Sequence, residues 1–146
     1  MEVSAVDQSR AMLEELARTF PDALIECRQG EAAHLPIDDE SVDYVFANMY
    51  LYHVEDPPRA IQEMARILKP GGRLVITDLD SHEFEFLRTE QHDRWMGFER
   101  AEVERWLRAA GLRNVRVECI DETCCASSTC GCSSASVSIF AAYGEK

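Results

Sequence analysis

Three polar residues that could do chemistry lie directly after predicted strands. Asp7 follows the apolar run "VSAV", Glu31 follows a second short strand, and Asn48 ends "VDYVFAN". A carboxylate placed like Asp7 can accept hydrogen bonds from the two vicinal hydroxyls of a ribose, or it can cap the helix that begins near Ser9. Glu31 can accept from an exocyclic amine, and the backbone N–H of Ala32 can donate to a ring nitrogen. A nucleoside-like ligand is therefore one interpretation, and a helix cap with an exposed loop is the other.

A second group of residues can line or cover a cleft. Asn48 and His53 flank the segment "MYLY", in which the two tyrosines can be core or lid residues. His92 and Trp95 lie with Arg94 in "RTEQHDRWMGF", which can form a cap over a substrate. Ordinary packing and a surface helix are the alternative. The predicted substrate contacts are His53, His92 and Trp95.

Four of the six cysteines lie in the serine-rich stretch "CCASSTCGC". Four thiols in one loop can bind a soft ion such as zinc, copper(I) or trivalent arsenic. The spacing differs from two CxxC pairs, however, so free thiols or an incidental disulfide are the alternative. The predicted metal ligands are Cys124, Cys125, Cys130 and Cys132. Cys27 and Cys119 lie in apolar strands and are predicted to be in the core.

The elements that must position these residues alternate between strand and helix. Apolar runs predict strands at "VSAV", "ALIEC", "VDYVFANMY" and "RLVITDL". Helical spacing of apolar residues predicts helices at "SRAMLEELARTF", "PPRAIQEMARIL" and "ERAEVERWLRAAG", with "KPGG" as a tight turn after the second. The runs "NVRVECI" and "SASVSIFAAYG" are too close for a helix between them. They are predicted to pair as an antiparallel hairpin around a cysteine-rich loop at residues 121–134.

This order of elements predicts one domain over residues 1–146. The class is α/β, with a mostly parallel sheet and an antiparallel hairpin at the C-terminal end. Such sheets bind ligands beyond the carboxyl ends of their strands. Because Asp7, Glu31, Asn48 and Asp78 each follow a strand, we expect them at one edge of the sheet.

Charge and composition exclude several classes of function. The formal net charge is −12, which argues against a nucleic-acid partner because such proteins cluster lysine and arginine. No apolar run is long enough to cross a bilayer, and no signal-peptide pattern opens the chain. We therefore expect a cytoplasmic protein with a small-molecule partner and no membrane contact.

Three segments, taken together, resemble the class I S-adenosylmethionine-dependent methyltransferases. They are "VSAVDQSRAML", "GEAAHLPIDDESVDYVFANMYLYHV" and "ARILKPGGRLVITDL", and they follow one another in that order. The later "GFERAEVERWLRAAGL" also fits the family. The resemblance implies a Rossmann-like fold that binds S-adenosylmethionine and passes its methyl group to an acceptor by in-line displacement. A base is needed only where the acceptor must lose a proton.

The resemblance also assigns roles to particular residues. Asp7 would hold the ribose of the cofactor, Glu31 and Ala32 would hold its adenine, and Asn48 would lie near its methionine part. Some methyltransferases of this type hold arsenite by cysteine thiolates, so arsenite becomes a candidate acceptor from the cysteine content. The alternative function is a non-catalytic metal- or metalloid-binding module that uses the cysteine cluster.

One part of the family pattern is not found in this sequence. The family's first strand ends in a glycine-rich loop of E/DxGxGxG type, and Met1 falls about where the family's second strand begins. We therefore expect the fold to lack the family's first strand and to leave the strand before Asp7 without one neighbour. Three explanations stay open: this is the C-terminal part of a longer enzyme, a dimer or partner chain supplies the strand, or the strands pair differently. The chain alone is then either an active methyltransferase or a segment that is inactive by itself.

Overall fold

The computed structural model describes residues 2–81, 95, 97–127 and 134–146, with the backbone alone at 121–127 and 134–136. The strands are β1 (Val3–Asp7), β2 (Ile25–Gln29), β3 (Val42–Asn48), β4 (Leu68–Leu79), β5 (Arg113–Ser127) and β6 (Ser134–Glu145). The helices are α1 (Arg10–Thr19), α2 (Pro57–Ile67) and α3 (Arg100–Ala109), and a 3-10 turn (Leu51–His53) lies between β3 and α2.

The strands form two separate sheets. β1 and β2 pair in parallel, and the second sheet has the order β3-β4-β6-β5. Within it, β3 and β4 are parallel, while β6 runs antiparallel to both β4 and β5. The predicted α/β class and the C-terminal antiparallel hairpin are confirmed. Among the described residues, no strand pairs with the second edge of β1 or of β3.

Sequence signals set several of the element ends. Ser9 caps α1, because its hydroxyl accepts a hydrogen bond from the N–H of Met12 at 3.3 Å. Asp56 caps α2 in the same way, and Pro57 occupies the first helical position. Gly111 ends α3 with a φ of +87°, a conformation that costs glycine little. These predicted helix boundaries are confirmed.

The main core lies between the four-stranded sheet and the helices α2 and α3. Leu74, Ile76 and Phe140 of the sheet are fully buried, as are Ile61 of α2 and Leu107 of α3. Burying each such side chain contributes about 1.5–3 kcal/mol. This half of the molecule therefore carries most of the apolar burial.

The unit formed by β1, α1 and β2 is packed much more lightly. Leu13 is the one buried residue in α1. Exposed large apolar side chains of the described residues include Val3, Met12, Phe20, Leu24, Tyr44 and Phe46. The apolar runs "VSAV" and "VDYVFANMY" do form strands, but β1 has no buried residue and β3 has only one, Ala47.

Three smaller expectations also differ from the structure. Cys27 and Cys119 are exposed rather than in the core: β2 has no buried residue, and the apolar Val115 and Val117 of β5 are themselves only partly buried. "KPGG" lies inside β4, which begins at Leu68, although Gly71 keeps the positive φ of +84° that suits a turn. β5 continues to Ser127 and β6 begins at Ser134, so both strands extend into the stretch 121–134 that was expected as a loop.

Candidate functional site

Asp7 lies half-buried at the carboxyl end of β1. Its Oδ1 accepts a hydrogen bond from the N–H of Ser9 at 2.8 Å, which is the capping contact that the sequence left open. No described residue donates a hydrogen bond to its second oxygen, Oδ2. Asp7 therefore supports the start of α1 and still offers a carboxylate oxygen to a ligand.

The loop after β2 holds Glu31 and Ala32 beside Asp7. The N–H of Gly30 donates to the carbonyl of Asp7 at 3.1 Å, which fixes the beginning of this loop against β1. Arg66 of α2 donates to the carbonyl of Leu35 at 3.1 Å and so holds the far side of the loop. Asp7 of β1 and Arg66 of α2 thus hold the two sides of the loop that carries Glu31 and Ala32.

Ala32 presents a buried backbone donor. Ala32 is 4% exposed and belongs to the main core, but no described residue accepts a hydrogen bond from its backbone N–H. A buried N–H without an acceptor is costly, at about 1–3 kcal/mol, and calls for a partner such as a ligand or a water. A ring nitrogen of a bound base is an acceptor of the required kind.

Asn48 lies at the carboxyl end of β3, opposite Thr77 of β4. The Thr77 hydroxyl donates to Oδ1 of Asn48 at 2.5 Å, and the N–H of Met49 donates to the carbonyl of Thr77 at 2.8 Å. Met49 has a φ of +52°, an unusual value for a residue with a side chain. The parallel pairing of β3 and β4 therefore fixes the turn that carries Asn48.

Tyr50 connects this turn to the other two loops. Partial burial raises the pKa of its phenol, and the negative charges of Asp7 and Glu31 raise that pKa further. The phenol therefore lies within electrostatic reach of both carboxylates, each of which follows a different strand. Sequence reasoning counted Tyr50 only as a core or lid residue. The signal that could have selected it is its place two residues after Asn48.

Asp78 is fully buried and acts on the same turn from β4. Its Oδ2 accepts from the N–H of Leu51 at 2.9 Å, and its Oδ1 accepts from the N–H of Leu79 at 2.8 Å. The contact with Leu51 ties the 3-10 turn to the end of β4. Asp78 is therefore a positioning residue for the segment that follows Asn48.

The predicted substrate contacts are spread over a wider region. His53 is exposed, with its ring centroid 4.0 Å from that of Tyr52. Trp95 lines a cavity of about 440 Å³ at the N-terminal ends of α2 and α3. Neither His53 nor any of the four predicted cofactor residues lines that cavity. His92 lies outside the described residues.

Part of the cysteine cluster also lies outside the described residues, namely Cys130 and Cys132. Cys124 and Cys125 are placed in β5, opposite Val137 and Ser136 of β6. Within the described ranges, no group of three or more histidine, cysteine, aspartate or glutamate side chains is arranged to hold a metal ion. The same ranges contain no helix that is long and apolar enough to span a membrane.

The residues around Asp7 fit one end of S-adenosylmethionine. The free oxygen of Asp7 can accept from ribose hydroxyls, and the buried N–H of Ala32 can donate to an adenine ring nitrogen. Glu31 is exposed beside them and can accept from the exocyclic amine. The donors and acceptors of an adenosine group are thus matched by groups that the described protein leaves unpaired.

Comparison with known proteins decides the family. Residues 1–76 match a family model described as a methyltransferase domain. The chain belongs to the methyltransferase-domain family. This membership confirms the predicted resemblance to S-adenosylmethionine-dependent methyltransferases, and with it the Rossmann-like fold.

Individual methyltransferases resemble the chain over different lengths. A demethylmenaquinone methyltransferase of Renibacterium salmoninarum is 38% identical over 89 residues, which cover 61% of this chain and 37% of that protein. A putative methyltransferase of Bacillus halodurans has a TM-score of 0.81 at 15% identity, with 100% of this chain and 83% of that one covered. A phosphoethanolamine N-methyltransferase of Haemonchus contortus, solved with S-adenosylmethionine, has a TM-score of 0.76 at 16% identity, with 99% and 43% covered. The chain spans less than two fifths of the length of the curated relatives that it matches.

Proposed function

We propose that this chain carries the adenosine-binding part of an S-adenosylmethionine-dependent methyltransferase that acts on a small molecule. The observation that supports the proposal most directly is the convergence of three loops. The N–H of Gly30 joins the loop after β2 to Asp7 at 3.1 Å, and burial together with the charges of Asp7 and Glu31 raises the pKa of Tyr50 after β3. Convergent polar groups at the carboxyl ends of parallel strands are typical of a nucleotide site.

Each residue has a separate role in this proposal. Asp7 accepts hydrogen bonds from the ribose, Glu31 and the N–H of Ala32 hold the adenine, and Asn48 lies near the methionine part. Thr77 fixes the side chain of Asn48 through its 2.5 Å hydrogen bond. When bound, S-adenosylmethionine supplies a methyl group on a positively charged sulfur. The protein contributes mainly by positioning, which fixes the approach of the acceptor.

We further propose that a strand from another segment or another chain completes the sheet beside β1 and β3. Both strands have an edge that no described strand occupies, and Tyr44 and Phe46 on β3 are 61% and 73% exposed. An exposed edge with apolar side chains is a template for pairing with a further strand. Methyl transfer by this chain is then expected to depend on that strand.

The acceptor belongs to the same proposal. A small molecule is favoured by the acidic surface, which carries a formal net charge of −12 and disfavours polyanionic partners. An arsenite acceptor stays a prediction that rests on the cysteine content alone.

Binding of S-adenosylhomocysteine, observed by two-dimensional NMR, tests the proposal on the chain as it stands. This method detects millimolar affinity, so it does not require the completing strand. We expect chemical-shift changes at Asp7, Ala32 and Asn48. Asp7→Asn removes the negative charge while the 2.8 Å contact with Ser9 can persist, and it should weaken binding about tenfold, which is about 1.4 kcal/mol.

Asp22→Asn is the matched control, because Asp22 is exposed in the turn between α1 and β2. It should leave the affinity unchanged. No shift changes in the unmodified chain, or equal affinities for the two variants, would show that the proposal is wrong.

A further inference from the structure

A cavity of about 440 Å³ opens between the N-terminal ends of α2 and α3. It is close to the candidate site but separate from it. Trp95 connects the two, because its backbone N–H donates to the carbonyl of Tyr52 at 3.2 Å and its indole N–H donates to the carbonyl of Val54 at 2.8 Å. The cavity thus adjoins the segment that follows Asn48.

Three aromatic rings form one side of this cavity. Phe98 is 4% exposed and lies at the centre, with the Trp95 ring 6.2 Å away at 39° and the Trp106 ring 5.8 Å away at 76°. Trp95 is 39% exposed although its indole N–H is already hydrogen-bonded. What it offers to a ligand is therefore the π surface of the ring rather than a polar donor.

Carboxylates surround the aromatic wall. The acidic lining residues are Glu55, Asp56, Glu99 and Glu102. Among the described residues that line the cavity, none is a lysine, arginine or histidine. Arg105 approaches Glu102 to 3.9 Å but does not line the cavity.

The helix ends offset only a part of this negative charge. The N-terminus of each helix contributes a partial positive charge of about half a unit. Asp56 is the N-cap of α2, and Glu99 is the N-cap of α3 but makes no side-chain capping hydrogen bond. Among the described residues, four lining carboxylates stand against two helix ends and one guanidinium that does not line the cavity, so the described lining is negative.

We propose that this cavity binds the alkylammonium group of a small organic cation. The π faces of indole rings attract such cations, and alkylammonium compounds are bound elsewhere by aromatic walls with nearby carboxylates. The methyl groups of the cation would contact the rings while its charge faces the acids. Its use as the acceptor or product site rests on the proposed function, whereas the binding itself does not.

The tryptophans give the proposal a direct readout. The chain has two tryptophans, and both line this cavity, so intrinsic tryptophan fluorescence reports on it alone. Titration with choline should change the emission and reach saturation. 3,3-Dimethylbutan-1-ol has the same shape without the charge, and it should bind at least tenfold more weakly.

A pair of variants on α3 and its cap tests the role of the carboxylates. Glu99→Gln keeps the shape of the side chain and should weaken choline binding several-fold. Glu104→Gln is the control, since Glu104 pairs with Arg108 at 2.5 Å and does not line the cavity. Its choline affinity should equal that of the unmodified chain.

The titration is made without S-adenosylhomocysteine, so its result is separate from that of the cofactor test. Saturable choline binding without cofactor binding would support the cation site and show that the proposed function is wrong. Equal responses to choline and the neutral alcohol, no response to either, or equal affinities of the two variants would overturn the cation site.

Discussion

Asp80 joins three elements through its two carboxylate oxygens. Arg100 at the start of α3 donates from Nε to Oδ1 and from Nη2 to Oδ2, each at 2.7 Å. Ser138 of β6 donates to Oδ2 at 2.5 Å. The bonds from Arg100 are the main reason why the pKa of Asp80 lies below its ordinary value of 3.8, against the opposing effect of burial. The folded state therefore favours the charged carboxylate.

The stability that Asp80 contributes should depend on pH in one direction. Since its pKa is lower in the folded state, the contribution is complete above pH 3.8 and is lost as the pH falls through the folded value. Asp80→Asn should lower the free energy of unfolding by about 1.5–3 kcal/mol near neutral pH, which is the range for hydrogen bonds to charged groups. The difference between the unmodified chain and the variant should shrink in acid. Denaturant unfolding at a series of pH values measures it.

The control for Asp80 is an exposed ion pair. Asp43 is 72% exposed and lies 3.7 Å from Lys69. Asp43→Asn should change the stability by less than about 0.5 kcal/mol at every pH. A pH-independent loss in Asp80→Asn would contradict the assigned role of the charge.

The sequence indicates which residues form the candidate site better than it indicates the contacts between them. Asp7, Glu31 and Asn48 could be selected because each is polar and follows a strand. Tyr50 is marked in the sequence only by its place two residues after Asn48. Its electrostatic interaction with Asp7 and Glu31 depends on the approach of β1 and β2 to the turn after β3, which sequence spacing does not contain. The contacts of Asp80 with Arg100 and Ser138 span up to 58 residues of the chain and were equally invisible.

Gly97 is the point where the chain returns to β4 before α3. Its φ is +72°, and a Cβ atom at this position would lie 2.0 Å from the carbonyl oxygen of Asp80. The N–H of the adjacent Phe98 donates a hydrogen bond to the carbonyl of Leu79, at the end of β4, at 3.0 Å. Close backbone approach and a left-handed conformation thus both require glycine here.

Gly97→Ala should therefore destabilise the protein by more than the cost of its conformation. That cost alone is about 1–2 kcal/mol. Gly111→Ala is the control that measures this conformational cost alone, because Gly111 has a φ of +87° and no atom lies within 4 Å of an added Cβ. We expect a clearly lower melting temperature for Gly97→Ala in differential scanning calorimetry. Equal losses for the two variants would show that the contact with Asp80 relaxes freely.

Element positions were predicted more securely where the pattern was local. The helix cap Ser9, the proline at the first turn of α2 and the stop at Gly111 depend on neighbouring residues alone. The exposure of Tyr44 and Phe46 depends instead on what covers β3, and an apolar strand pattern is the same whether or not its edge is paired. The start of β4 at Leu68 also depends on pairing with Val42 of β3.

At the scale of the whole molecule, the unpaired edges of β1 and β3 predict association. Tyr44 and Phe46 lie on one face of β3, with ring centroids 6.3 Å apart. Without the completing strand, the chain should self-associate as its concentration rises. Size-exclusion chromatography with light scattering measures the mass, and strictly monomeric behaviour at all concentrations would be the contrary result.

A charged substitution locates the association surface. Phe46→Lys should reduce the association because a lysine at a strand edge opposes pairing. Leu24→Lys introduces the same charge at a residue that is 91% exposed and lies before β2, and it should leave the association unchanged. Equal effects of the two substitutions would mean that general surface apolarity drives the association.

The division into two sheets also has a consequence for cooperativity. Within the part of the chain that the structure describes, no hydrogen-bonded ladder joins β1–β2 to β3-β4-β6-β5, and α1 buries a single residue, Leu13. Structures with few buried apolar contacts open locally at low free energy, without global unfolding. The amides of β1 and β2 are then expected to exchange with solvent much faster than those of β4 and β6. Ligand binding at Asp7 would slow that exchange, because a ligand that binds only the folded N-terminal unit stabilises that unit against local opening.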